Sequence, residues 1–453
     1  MHSIDSRLTQ VASDNGPEIG EASAERQLRV LFCSWSELDI ASGTPVIVCD
    51  MLRHFSDGNA EVFTEENLDQ KRRRKISIDH PVRKFQFHTR LWPFLRGHRI
   101  RRRLARAGFP LLLGQMVRHI RRFQPDCMVA IYAQPHWILA TWMASRITRV
   151  PLVYHVHDAF LEANERRKNS SFASWLERKT LTSTRVLALD DNMADHYKRR
   201  YGIQCTVLRH IVEHRPLPAK PGPHAGTAAT DAAALSAGSR TLTIGFAGAI
   251  YESNLRQLTE LSQLVNQDPT FRLKVWSGSS FDTSRICGPR VEVAFEANYE
   301  RLLANIGDCD LLYLPLHFSP GKSMAANAMS LSLPTKSFDY LLSGVPILVH
   351  CPEDFSLSRF FVKNRCGYVL NDPQIEAVRE WLDAWRSGQL PPPDEEARLK
   401  TLQMHSAAEN KRILWQVLSE EIGRSGTTKP VSHRDTMDEL QLHRPPSKDS
   451  SPT

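Results

Sequence analysis

The chain has 453 residues, a formal net charge of +8 and eight cysteines that stand singly, with no Cys-x-x-Cys pair. Its length exceeds one ordinary domain, and the isolated cysteines argue against a zinc ribbon, a thioredoxin-like centre or a disulfide scaffold, which suits a reducing, cytoplasmic setting. Residues 1–26 lack the apolar core of a secretory signal, and no run of about 18 apolar residues offers a span. Membrane contact is therefore expected only at a surface, such as the inner face of the plasma membrane.

Residues 1–26 are polar and read as disordered. LRVLFCS (28–34) is an apolar strand, and Gly43-Thr44-Pro45 then opens a helix with Thr44 as N-cap and Pro45 at its first position. Gly43 and Thr44 thus lie at a helix start, where N–H groups can meet phosphate or an acceptor hydroxyl. The stretch is not G-x-G-x-x-G, so nicotinamide dinucleotide binding is poorly supported.

Residues 71–122 hold 17 Lys and Arg against the single acid Asp79, including KRRRK (71–75) and the run Arg101, Arg102, Arg103. The plain alternative is a solvated basic helix or loop, but so dense a charge suits a polyanion: an anionic bilayer, a pyrophosphate-linked lipid or nucleic acid. Trp92, Phe94, Leu95 and Phe109 lie among the charges, as interfacial side chains do. No RNA-recognition or helix-turn-helix signature accompanies them, which disfavours nucleic acid as a partner.

Apolar strands follow at 127–132, 151–156 and 185–189, with a helix at 191–201. The second of these ends in HVHD, placing His155, His157 and Asp158 where functional residues of an α/β domain emerge. Residues 155 and 157 share one side of the strand. A strand-end histidine is by itself more often structural than catalytic.

An Ala/Gly/Pro-rich linker, 218–240, separates a first unit (27–217) from a second (241–423), and a polar tail (424–453) reads as disordered. The second unit repeats the grammar, with strands at 241–248, 271–278, 310–316 and 345–350 and helices near 253–267, 298–307 and 353–364. Helical stretches at 373–388 and 394–422 follow. Such alternation predicts an α/β fold of two Rossmann-like domains facing a cleft, each with a parallel sheet covered on both faces. Their surfaces differ: 27–215 has 32 Lys and Arg against 18 acids, whereas 241–423 has 17 against 22.

The most pointed segment is SLPTKSFDYLLSGVPILVH (332–350). Pro334 suits a first helical position, Phe338, Leu341 and Leu342 make an apolar face, and Gly344 with Pro346 stops the helix before a short strand. Lys336 and Asp339, three apart, project from one side near the positive helix end, a cation for phosphate beside a carboxylate for hydroxyls. The segment resembles the donor-binding motif of GT-B glycosyltransferases of the family 4-like group, Pro-x-Lys-x-(Phe/Leu)-(Glu/Asp)-Tyr-x-x-x-Gly-x-Pro.

That resemblance implies a nucleotide-sugar donor bound by the second domain, a glycan or lipid-linked acceptor at the first, and part of the helical region 373–388 and 394–422 crossing back to pack on the first domain. It implies a ribose contact at Asp339, and a catalytic histidine, His157 with His155 as rival, reaching the donor sugar beside Asp158. An acidic residue is expected at position 332, where this chain has Ser332. FAGAIYESNLRQL (246–258) resembles the opening of the family's second domain, which implies donor contacts at Gly248 and Asn254, but Ala249 and Asn254 stand where that family carries Arg and Lys to hold the diphosphate. Lys336, Arg256 or Lys322 would have to substitute.

Lys322 and Ser323 lie in HFSPGKSMAANAMS (317–330), a phosphate cradle by position, although Leu316 breaks an ATPase P-loop. Asp308-Cys309-Asp310 imitates a metal-binding Asp-x-Asp, but Asp310 is expected to begin a strand and no further oxygen ligands cluster nearby, so no metal or cofactor is expected. The rival readings are a non-transferase member of the fold, such as a nucleotide-sugar epimerase, and a basic nucleic-acid-binding protein.

Overall fold

The computed structural model describes residues 28–35, 38, 43–56, 58–65, 80–85, 98–162, 165–212, 241–277, 284–296, 298–318 and 329–425. Within them the chain builds two all-parallel sheets. The first joins β1 (Val30–Ser34), β2 (Ala60–Glu65), β3 (Val82–Phe85), β4 (Cys127–Ile131), β5 (Leu152–Val156), β6 (Arg185–Ala188) and β7 (Thr206–Val207) in the order β3-β2-β1-β4-β5-β6-β7. The second joins β8 (Leu242–Ala247), β9 (Phe271–Trp276), β10 (Val291–Ala294), β11 (Leu311–Pro315), β12 (Ile347–His350) and β13 (Tyr368–Leu370) in the order β10-β9-β8-β11-β12-β13.

Both sheets reverse their strand order beside the first strand, between β1 and β4 and between β8 and β11. A crevice opens outside the carboxyl ends of strands at such a switch point. The central strands β1, β4, β5, β8 and β11 are buried at every residue because helices cover both faces. Each sheet is flanked by two cores, one centred on Met128, Trp137 and Tyr154 and one on Phe32, Val48 and Val129 in the first domain.

The expected fold is therefore present, with local shifts. The first helix is Gly43–Leu52, so Thr44 lies inside its first turn and is not its N-cap. The helix of the pointed segment is Lys336–Ser343, preceded by a turn in which the Ser337 N–H donates to Pro334 O at 3.0 Å, so Lys336 and not Pro334 is its first residue. Gly344 ends it in the left-handed conformation (φ 70°), as expected.

Residues 394–422 form two helices, Glu395–Met404 and Ala407–Arg424, and the second leaves its own unit. Leu414, Val417 and Leu418 join Val30 and Phe32 in a core of the first domain. Trp415 packs on Phe55 at 4.4 Å, and Arg185 meets Glu420 at 3.3 Å. The last helix thus crosses back onto the first domain, as the GT-B resemblance implies for part of 373–422, although the boundary read at 423 places it in the second unit. The crossing is pinned where Val212 N–H donates to His405 O at 2.8 Å and His405 Nδ1 lies 2.9 Å from His210 O.

Arg398, 4 % exposed, forks onto Glu395 with two contacts of 2.6 Å and donates to Leu341 O in the last turn of helix Lys336–Ser343. A cation at a helix C-terminus also complements the helix dipole. Arg398→Ala strands that buried carbonyl and is expected to cost about 1–3 kcal/mol in urea unfolding. Unchanged stability would show that the carbonyl finds another partner.

Candidate functional site

On the second domain, β8 runs into Gly248, whose φ of +129° is strained for any residue with a side chain. A Cβ there would stand 3.1 Å from Lys336 Cδ, so the glycine also makes room for the lysine. The Lys336 ammonium lies 4.2 Å above the Phe246 ring, and burial lowers its pKa from the usual lysine range to about 7. Tyr340 Oη accepts the Ala247 N–H at 2.7 Å, locking the helix to the end of β8. One turn along from Lys336, Asp339 Oδ1 accepts the Tyr299 hydroxyl at 2.6 Å.

Asn254, expected at the donor, is engaged within the protein. It is fully buried, its Oδ1 accepts the Tyr251 N–H at 2.9 Å and its Nδ2 donates to Ala249 O at 3.3 Å. Both ends of the amide are thus used to shape the loop after Gly248, at the start of helix Glu252–Gln267. Among the cations weighed as replacements, Arg256 pairs with Glu260 at 2.7 Å while Lys336 lies at the site. Lys322 and Ser323 fall outside the described residues.

On the first domain, the end of β5 presents the two histidines on one side, as the strand alternation predicts. His157 Nε2 is 3.0 Å from His155 Nδ1, and His157 Nδ1 is 3.2 Å from Thr44 Oγ1. Burial keeps both rings neutral: His155 is lowered to about 4, and His157 is driven well below the usual range by burial and then by the neighbouring His155 and His210. His157 is 5 % exposed, and Thr44 beside it is half-buried.

Asp158 is reachable by solvent, yet protein crowds it and raises its pKa above the ordinary value, an effect opposed by a hydrogen bond from Ser332. That bond crosses the cleft, with Ser332 Oγ donating to Asp158 Oδ1 at 2.8 Å. Gly43 faces the same helix start, where a Cβ would lie 4.0 Å from Thr335 Cγ2. Residues far apart in sequence thus converge: Gly43, Thr44, His157 and Asp158 from one side, and Gly248, Ser332, Lys336 and Asp339 from the other.

The structure separates the Asp308/Asp310 reading from this site. Asp310 Oδ2 accepts the Thr243 N–H at 2.8 Å while Asp310 N–H donates to Thr243 O at 2.9 Å, so this aspartate registers β11 against β8. Arg101, Arg102 and Arg103 fall on helix His98–Phe123, but their side chains lie outside the described residues. Sequence reasoning missed Tyr299 and Tyr340 as supports of the site. Tyr340 could have been found from its place within the donor-helix pattern, whereas Tyr299 carries no signal.

Residues 47–209 match the family model described as Glycosyl transferase 4-like domain. Most of the first domain is thus similar to a glycosyl transferase 4-like domain. The match takes in His155, His157 and Asp158 and stops short of the Lys336 helix. Solved structures extend the likeness over both domains of the chain. Anabaena HepE in complex with UDP is similar at 15 % identity and a TM-score of 0.59, covering 87 % of this chain and 100 % of its own.

The lipopolysaccharide outer core galactosyltransferase WaaB is similar at 12 % identity and a TM-score of 0.55, covering 87 % and 100 %. The UDP-forming α,α-trehalose-phosphate synthase of Burkholderia vietnamiensis is similar at 14 % identity and 0.54, covering 86 % and 100 %. These likenesses show the GT-B fold. A search of curated proteins finds none that matches.

Proposed function

We propose that this glycosyltransferase moves a sugar from a nucleotide-sugar, a UDP-sugar being the first to test, to a glycan or lipid-linked acceptor. The observation that carries the reading is the Lys336 ammonium at a helix start beside the Gly248 turn, with Asp339 on the same helix and His157 and Asp158 across the cleft. HepE has been crystallised with UDP, with UDP and glucose, and with UDP-glucose. Those ligands name the donor chemistry to try here.

In this account the Lys336 ammonium, at the positive end of its helix, receives the donor diphosphate. Asp339, held by Tyr299, accepts the ribose hydroxyls through charge-assisted bonds. As the glycosidic bond to phosphate breaks, negative charge grows on the leaving oxygen, and fixed positive groups already aimed there lower the barrier. The Asp158 carboxylate, whose hydrogen bond to Ser332 spans the cleft, faces the reacting sugar. The resemblance places an acid at 332, and here that carboxylate comes from the opposite domain. Neutral His157 and Thr44 fix the acceptor side of the sugar. The reading includes retention of anomeric configuration and hexosyl transfer, and it uses no bound divalent metal.

Asp339→Ala is expected to weaken UDP and UDP-glucose binding about ten- to hundredfold, the loss of one charged hydrogen bond of about 1.5–3 kcal/mol. Titration calorimetry on the folded variant tests this. Unchanged affinity for every nucleotide and nucleotide-sugar bound by the parent protein would sink the donor assignment.

A further inference from the structure

Four helices cover one face of the first sheet: His98–Phe123, Pro135–Thr148, Ser171–Leu181 and Asp191–Tyr201. Their inner sides share one core through Met116, Trp137, Leu176 and Tyr197. Their outer sides have an unusual make-up. Among the described side chains, every exposed charged residue on these helices is Lys or Arg except Asp195 and the half-exposed Asp191, whose carboxylate is held by Arg209 and Lys363.

Large apolar groups stand exposed on the same helices: Leu111 (49 %), Ile147 (48 %), Phe172 (51 %) and Trp175 (50 %). Phe172 and Trp175 stack on each other with centroids 5.9 Å apart. Arg178 and Lys179 follow Trp175 by three and four residues, so they lie on the same outer face. The acid of that helix, Glu177, is turned inward and fully buried, where it accepts the Tyr201 hydroxyl at 2.5 Å and the Tyr197 hydroxyl at 3.3 Å. The helix thus offers outward only aromatic, cationic and small polar side chains.

We propose that this helical face seats on an anionic lipid bilayer, with Phe172 and Trp175 in the headgroup region and Arg178 and Lys179 among the lipid phosphates. Charge complementarity selects the occupant, because a face dominated by cations attracts a negative surface and exposed aromatics and aliphatics insert at its edge. Leu111 and Ile147 favour lipid over nucleic acid, since acyl chains accept them and bases gain no stacking from them. The site is separate from the donor cleft and does not rest on the transfer reading. Among the described residues no helix is long and apolar enough to cross a membrane, so the contact is with a surface.

The test is co-sedimentation of the full chain with vesicles of equimolar phosphatidylcholine and phosphatidylglycerol, against phosphatidylcholine alone. Binding is expected only to the anionic vesicles and is expected to weaken steeply with salt. Phe172→Ala with Trp175→Ala should reduce binding at least tenfold. Arg178→Gln with Lys179→Gln should reduce it about fivefold per residue and flatten the salt dependence. All four side chains are exposed, and thermal melts unchanged from the parent confirm folding. Equal binding to neutral vesicles, or anionic binding untouched by both pairs, overturns the proposal. Preferential capture of poly(U) through the same residues would assign the face to nucleic acid, and self-association abolished by the aromatic pair would assign it to a second copy.

Discussion

Lys336→Ala is expected to remove most affinity for the donor diphosphate, by about a hundredfold, while leaving the protein folded. The ammonium sits on the Phe246 face and along Gly248, with burial holding its pKa at about 7. A diphosphate placed beside it restores a favourable charge partner and raises that pKa. In the free protein the lysine is cationic below pH 7 and largely neutral above it. At pH 8 donor binding should therefore take up a proton, whereas at pH 6 it should not. Affinity should fall as the pH climbs past 7, beyond what the phosphate's own titration produces.

Calorimetry in two buffers of different ionisation enthalpy reads the proton directly. Lys336→Arg, cationic throughout, should bind without proton uptake at either pH. Proton uptake that persists in the arginine variant would trace to another group and remove Lys336 from the diphosphate site.

Much of this arrangement was legible in the chain because its signals are local. The central strands appear as unbroken apolar runs since both faces of each sheet are covered. Lys336 and Asp339 share a side of one helix by their spacing alone, and His155 and His157 share a side of β5 by alternation. Edge strand β10 was overlooked because VEVA is short and largely solvent-facing, so no apolar run marks it. Pairings over long separations left no trace: Tyr299 reaches Asp339 across 40 residues and Ser332 reaches Asp158 across 174.

Asn254 shows a different limit. Its position in the resemblance suggested a ligand, but its amide is used by Tyr251 and Ala249. A polar residue three places into a helix satisfies the helix end by default, and sequence does not tell that duty from binding. The last helix shows a similar limit: an amphipathic stripe records that a face is buried, not which domain buries it, and only the GT-B resemblance points part of this region back to the first domain.

Asp158→Ala is expected to lower kcat for sugar transfer about 10²- to 10³-fold with little change in donor KM, the usual cost of removing one preorganised electrostatic group at a reacting centre. The carboxylate lies on the first domain yet is held 2.8 Å from Ser332 Oγ, at the position where the family resemblance expects an acid. Moving the charge across the cleft distinguishes chemistry from mere bridging. If the reaction needs a carboxylate at that point, Ser332→Glu in the Asp158→Ala background should recover part of the lost kcat, because the new acid enters from the second domain. If Asp158 serves only to hold the domains together, Asp158→Asn, which keeps an acceptor for the Ser332 hydroxyl, should retain nearly full activity. Full activity in Asp158→Asn, with no recovery in the swapped pair, would assign this contact to closure alone and leave the reacting sugar to His157 and Thr44.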